Sequence, residues 1–446
     1  MSGTLFTLPQ AERQDEQKGK GKPRLDKANR DQIEVRFAAL NDLLPEDHRA
    51  RLVWEMVEKY DLSRFYERVQ AIEGEAGRPA IDPRLLIAVW LYAVLEGVVS
   101  ARALERLCVE HIAYQWLLGG VSVNYHTLAD IRVEYEKELD EVFTNSVAAL
   151  LREGIVDLER TAQDGMRIRA SAGASSFRRR PTLEECLCQA KACIQQQKVE
   201  GQSEENGVSG SQAQAARRRH ARERVERVQK ALQEVEKLAA KKLKNRELRR
   251  KNRPERASST DPEARVMKMP DGGFRPAYNG QLTIDMDSRI IVGVDVSNEA
   301  DAGLMNPMIE QVGDRYQRLM EAHYVDGGFR SNAGIEQASQ KGVDVYSPIP
   351  ASYSVKSEKR PEQILPSDSP GVRAWKERMM KPEAREKYKQ RAATIEWANA
   401  MARNRGLYRL LVRGVRKARA VLLWYALAHN LIQEFNLRME MQIQPV

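Results

Sequence analysis

The sequence predicts a mixed α/β protein: a sheet covered by helices, preceded by an all-helical domain and interrupted by a basic helical insertion. Three observations carry this. Apolar residues recur with helical period from Asp31 to about Asp157. From Gln163 onward, runs of period-two alternation are separated by helical patterns, the layout of a mixed sheet flanked by helices. Between Arg178 and Ser258 there are 22 Lys and Arg against 11 Asp and Glu, in a chain whose whole formal net charge is +9.

Taken in order, residues 1–28 are polar, Gly- and Lys-rich and unpatterned (QDEQKGKGKPR), a flexible arm. Residues 29–157 form the helical N-terminal domain, with breaks at Pro45, at Pro79 and Pro83, at Gly97 and at Gly119–Gly120. Within it PRLLIAVWLYAVLEG, SARALERLC and YHTLADIRVEYEKEL are successive short helices, with Ser100 as an N-cap. They suit either a helix-turn-helix reader of DNA ends or a plain packed bundle. The apolar run Leu85–Leu95 is far short of the roughly 18 residues that argue for a membrane span, so it reads as a buried helix and no membrane is expected.

Residues 158–446 form the α/β domain, interrupted by the insertion at 178–258. A first strand contains Gln163. YNGQLTIDMD and RIIVGVDVSN are a hairpin with Ser288 in its turn. There follow a helix from Gly303 to Tyr316, the strand AHYVDGG, a helix from Ser331 to about Gln340, the strand VDVYSPIP and a long helical tail. The insertion opens with a helix from Thr182 to about Lys198, passes a linker (GQSEENGVSGSQAQ) and continues as a long helix from about Ala215 to Lys251. Val225, Val228, Leu232, Val235, Leu238 and Leu243 supply an apolar seam, predicting a helical hairpin or coiled coil. Its basic ends, RRRHARER and KKLKNRELRRKNR, suit either phosphate contacts or a solvated face.

Three carboxylates stand where a two-metal phosphoryl-transfer site would place its ligands: Asp164 on the first strand, Asp326 at the end of the fourth, and Glu396 within YKQRAATIEWANAMARNRG. Cleaving a phosphodiester needs an activated oxygen nucleophile and a stabilised leaving oxyanion, and two divalent ions about 3.5–4 Å apart supply both. Hard ions such as Mg²⁺ take oxygen ligands, so carboxylates suffice without His or Cys. At 100° per residue Arg403 lies about 20° from Glu396 and Asn399 about 60° away, on one helical face. That face suits a helix beside a DNA strand. Arg391, Arg409 and Arg413 add candidate phosphate contacts, the last two spaced for one face near Gly414.

A pI near 9.2 fits a polyanionic partner. Cys108, Cys186, Cys188 and Cys193 form no paired framework, and no secretory signal with a cleavage site is evident, so a reduced cytosol is the expected compartment.

From about Arg36 to Gln433 the chain resembles the DDE transposases of bacterial insertion sequences, specifically the insertion-sequence 1182 family. The stretches that carry the resemblance are QDGMRIRASAGASSFRR, DPEARVMK, YNGQLTIDMDSRIIVGVDVSN, YVDGGF, YKQRAATIEWANAMARNRGLYRLLVRG and ALAHNL. The resemblance implies a ribonuclease-H-like catalytic domain, two Mg²⁺ ions for which Mn²⁺ can substitute, terminal inverted repeats and target DNA as partners, and a homo-oligomer, a dimer, on DNA in the bacterial nucleoid. It makes Asp164, Asp326 and Glu396 the first, second and third acids. It also sets Arg391 at the basic position before the Glu, and Arg403 where many relatives have Lys. Met166 stands where many relatives have a small polar residue. The expected activity is strand cleavage at the element ends followed by strand transfer. The alternatives are a non-catalytic DNA-binding regulator derived from a transposase, and a plain metal-dependent nuclease.

Overall fold

The computed structural model describes residues 37–71, 79–203, 211–244, 254–352, 360–361 and 364–443. The expected flexible arm lies outside these residues. Besides the short turns Leu40–Leu43 and Ser63–Tyr66, the helices that open the described chain are α1 (Arg49–Lys59), α2 (Pro83–Leu95), α3 (Ala101–Glu110), α4 (Ile112–Leu118), α5 (Tyr125–Glu134) and α6 (Glu136–Arg152). Their starts follow local chemistry. Asp82 Oδ1 accepts from Arg84 N at 2.8 Å ahead of Pro83 in the first turn, and Asn124 Oδ1 accepts from Thr127 N at 2.9 Å. The apolar run from Leu86 to Leu95 is buried on every side of α2. The helices that suggested a helix-turn-helix, α3 and α5, do pack together, but α4 stands between them in the chain.

A six-stranded mixed sheet follows. Its strands are β1 (Arg160–Arg169), β2 (Arg265–Lys268), β3 (Phe274–Asp285), β4 (Ile291–Ser297), β5 (Ala322–Tyr324) and β6 (Asp344–Tyr346). β3 lies antiparallel to β1, from Thr161 opposite Asp285 to Arg169 opposite Ala277. Its other edge is shared by β4 and β2, both antiparallel. On the far side of β1 the order continues with β5 and β6, both parallel. The helices α9 (Met305–Tyr316) and α10 (Asn332–Gln340) make the crossovers that parallel pairing requires. The β3–β4 turn contains Ser288, whose N and Oγ both donate to Asp285 Oδ1, at 2.8 and 2.6 Å.

The insertion holds α7 (Arg180–Ser203) and α8 (Ser211–Lys244). They pack through Leu183, Val228, Ala231 and Val235, and a two-residue ladder, Phe177–Arg178 with Ala257–Ser258, closes its base. The helix α7 extends past Lys198 into the expected linker, and Leu243, placed on the seam, is 71% exposed. The second basic run, KKLKNRELRRKNR, begins within α8 at Lys241–Lys244, and its remainder, 245–253, lies outside the described residues.

The remainder is α11 (Pro370–Met380), α12 (Pro382–Arg391), a π-helical turn (Ala392–Glu396), α13 (Trp397–Asn404) and α14 (Val415–Ile443). The expectation that Arg409 and Arg413 share a helical face is corrected here. Residues 405–414 form a loop, entered at Gly406 and left at Gly414 with φ of +87° and +88°. Leu410 N donates to Arg169 O at 2.8 Å, which pulls the segment into extended pairing with β1. The helix α14 packs on both the sheet and the helical bundle, so one apolar core runs through them; Trp424 Nε1 donates to Arg132 O at 3.1 Å and its ring lies 6.3 Å from that of Trp90. No helix among the described residues is long and apolar enough to cross a membrane.

Candidate active site

Asp164 sits mid-strand on β1, the central strand, and Asp326 follows β5 on the neighbouring strand. Parallel pairing sets Arg160 opposite Ala322 and Ala162 opposite Tyr324; carried two residues further, this register puts Asp326 level with Asp164. Asp326 closes a tight turn in which its Oδ1 accepts from Gly328 N at 2.6 Å. Glu396 ends the π-turn and its side chain is 61% exposed.

Between the first and third acids lies Arg391. Its Nη2 is 3.1 Å from Asp164 Oδ1 and its Nη1 is 3.9 Å from Glu396 Oε1, while the side chain is only 8% exposed. The same guanidinium donates to Gln163 O at 3.3 Å. Asn399 Nδ2 donates to Asp164 Oδ2 at 2.8 Å. Expected as DNA-facing groups, Arg391 and Asn399 are therefore buried supports of Asp164. Arg403, Arg409 and Arg413 are exposed. Among the described residues no three His, Cys, Asp or Glu side chains stand together closely enough to hold one metal ion.

Burial lifts the Asp164 carboxyl above the usual range. Arg391 and the Gly165 N–H pull it down, and the charges of Asp326 and Asp301 push it up. Tyr388, which sequence reasoning missed, is half-buried one helical turn before Arg391. Burial raises its phenol, Arg391 lowers it, and Asp326, Asp164 and Glu396 all raise it, so the three acids act on one group.

A second missed cluster backs β1. Asp301 accepts from Arg167 Nη2 at 2.6 Å, from Asn279 Nδ2 at 2.8 Å and from Gln281 Nε2 at 3.2 Å. Burial raises its carboxyl, but these donors outweigh that and hold it low. A Cβ on Gly165 would overlap Asp301 Oδ1 and approach Asn279 Oδ1 and Gln281 Nε2 to 2.7 Å, so a larger residue after Asp164 would have to displace the ends of these three hydrogen-bonded side chains. The motif Asp-Gly was visible in the sequence; its partner at 301 carried no local signal.

Residues 355–434 match the family model described as Transposase DDE domain, and residues 38–134 match the one described as Transposase domain (DUF772). The chain belongs to the DDE transposases of insertion sequences. No curated protein and no solved structure matches it. In this transposase the matched C-terminal segment contains Arg391, Glu396, Asn399, Arg403, Arg409 and Arg413; Asp164 and Asp326 lie outside both segments. The two matched segments of the transposase pack on each other through α14, which reaches from the bundle to the sheet.

Proposed function

We propose that the transposase cuts the strands at the inverted-repeat ends of its element and joins the freed 3′-hydroxyls to target DNA, with Asp164, Asp326 and Glu396 as its acids in a ribonuclease-H-like domain. The supporting observation is geometric: Asp164 lies on β1 and Asp326 two residues past the end of its parallel neighbour β5, and the third acid is tied to the first through one arginine. A sheet with three antiparallel strands continued by two parallel ones, read β4-β3-β1-β5-β6, accords with that domain type.

The donor set suits hard divalent cations, Mg²⁺ first and Mn²⁺ in substitution: three carboxylates, with the buried His323 already engaged by Thr161 and Gln163. Bound there, two ions would activate the attacking oxygen and stabilise the leaving one. The chain's own residues orient the groups. Asn399 fixes the rotamer of Asp164, and the Asp326 turn holds the second carboxylate. Arg391 stands beside both carboxylates, where its guanidinium would also suit a substrate phosphate. Arg403 and the exposed arginines of the 405–414 loop add phosphate contacts, and the active form is a dimer on DNA.

One observation favours a second reading, a non-catalytic DNA-binding regulator: the acids stand apart, bridged by Arg391, rather than clustered. Labelled element-end DNA incubated with Mg²⁺ separates the two. Metal-dependent nicking and joining that vanish in Asp326→Ala support the transposition reaction; binding without cleavage by both proteins supports the regulator, and cutting of any DNA without joining indicates a plain nuclease.

A further inference from the structure

The loop Arg405–Gly414 turns large apolar groups outward among arginines. Tyr408 is 58% exposed and Leu411 49%, whereas Leu407 and Leu410 are buried at 5% and 1%. Two exposed apolar side chains beside the buried Leu407 and Leu410 mark a contact surface rather than a packing remnant.

The loop is fixed at three points. At its entry, a Cβ on Gly406 would come within 2.6 Å of Val99 Cγ1, so the backbone lies directly against the Gly97–Val99 turn of the helical bundle. Its middle pairs with the end of β1: Arg169 N donates to Tyr408 O at 3.0 Å and Leu410 N to Arg169 O at 2.8 Å. At its exit, Gly414 N donates to Asp261 Oδ1 at 3.1 Å and to Tyr278 Oη at 3.2 Å, and Val415 N donates to Glu263 Oε2 at 3.0 Å. Tyr408 is therefore presented by a preorganised segment, and binding through it costs little ordering entropy.

Charge selects the partner. Arg169, Arg409 and Arg413 are exposed, and none forms an ion pair among the described residues. Cations near an aromatic suit a nucleic-acid strand, whose phosphates meet the cations and whose bases offer faces for stacking. A base within an intact duplex has no free face, so the fitting occupant is an unpaired one. The place is set by β1, on which Arg169 lies five residues beyond Asp164, about 17 Å along the strand.

We propose that Tyr408 stacks on an unpaired DNA base a short way from the scissile phosphate, with Arg409 and Arg413 on the flanking phosphates and Leu411 against the same base. This rests on reading Asp164, Asp326 and Glu396 as the strand-cleaving acids.

The test is a duplex with a single-stranded 3′ overhang carrying 2-aminopurine, bound without metal so that nothing is cut. Wild type and Tyr408→Phe are expected to quench the probe. Tyr408→Ala is expected to lose the quenching and to bind about 5- to 140-fold more weakly, the value of one stacked base. Its salt dependence should stay unchanged, while Arg409→Gln lowers the slope of log affinity against log salt by roughly 0.7 to 0.9. A Tyr408→Ala protein that binds and quenches like wild type overturns the proposal, even if wild type cuts element ends with Mg²⁺. Quenching that depends on Tyr408 in a protein that cuts nothing upholds the stacking and overturns the cleavage reading instead.

Discussion

The Arg391 guanidinium stands 3.1 Å from the Asp164 carboxylate and 3.9 Å from that of Glu396, so a single buried cation links two acids carried by different elements. Its removal leaves Asp164 half-supported in a buried site. Arg391→Gln is expected to slow cleavage of labelled element ends by about 10- to 100-fold, the value of a charge-assisted hydrogen bond. Arg391→Lys should recover only part, because an ammonium cannot reach both acids in the plane of a guanidinium. Cleavage at the wild-type rate in Arg391→Gln would remove this residue from the site.

Asp164 should be costly to the fold. Burial raises its pKa, and a carboxyl raised in the folded state contributes stability that is complete at low pH and lost as pH rises through the folded value. Ionising it runs against that preference. Asp164→Asn should therefore melt no lower than wild type while abolishing cleavage. A clear fall in melting temperature would mean that the Arg391 pair outweighs desolvation.

Gly165 offers a steric test with a built-in control. Gly165→Ala drives a methyl group into Asp301, Asn279 and Gln281 and should cost about 1–3 kcal/mol in urea unfolding. Gly327→Ala, where an added Cβ meets nothing within 4 Å, should unfold like wild type. Equal midpoints for both variants would refute the packing account.

Asp285 carries a pH signature at the hairpin turn. Burial raises its carboxyl to about 6, against the pull of the Ser288 hydrogen bonds. Its stabilising contribution is complete below pH 3.8, the unfolded value, and fades as pH passes 6. Relative to Asp285→Asn, wild type should lose up to roughly 3 kcal/mol between pH 4 and pH 7. Denaturant titrations of both proteins at the two pH values measure this, and a constant difference between them excludes the effect.

Much of the sheet was legible because alternation declares itself locally: the β3–β4 hairpin and its Ser288 turn stand plainly in YNGQLTIDMDSRIIVGVDVSN. The adjacency of Asp164 and Asp326 was legible too, as a consequence of strands sharing a sheet. What escaped was everything set by tertiary contact. Asp301 lies in a loop with no pattern of its own, and the turn at Gly406 and pairing to Arg169 override the helical spacing of Arg409 and Arg413. Arg391 was hidden twice as the link between two acids, from Asp164 by sequence separation and from Glu396 by backbone geometry. On a regular α-helix five residues turn 500°, which leaves Arg391 and Glu396 about 140° apart.

The π-turn removes that offset, since its bonding links residues five apart and brings them to the same side. Ala392 and Ala393, within the turn, are both exposed. By the usual measure of substitution they are the most dispensable residues of the region. Deleting either would shorten the π-turn to a regular α-turn, leaving Arg391 and the glutamate four residues and 400° apart, about 40° from alignment. The turn thus absorbs one surplus residue, so a three-nucleotide loss in the coding DNA at either alanine would leave the glutamate on the side of the helix that faces Arg391.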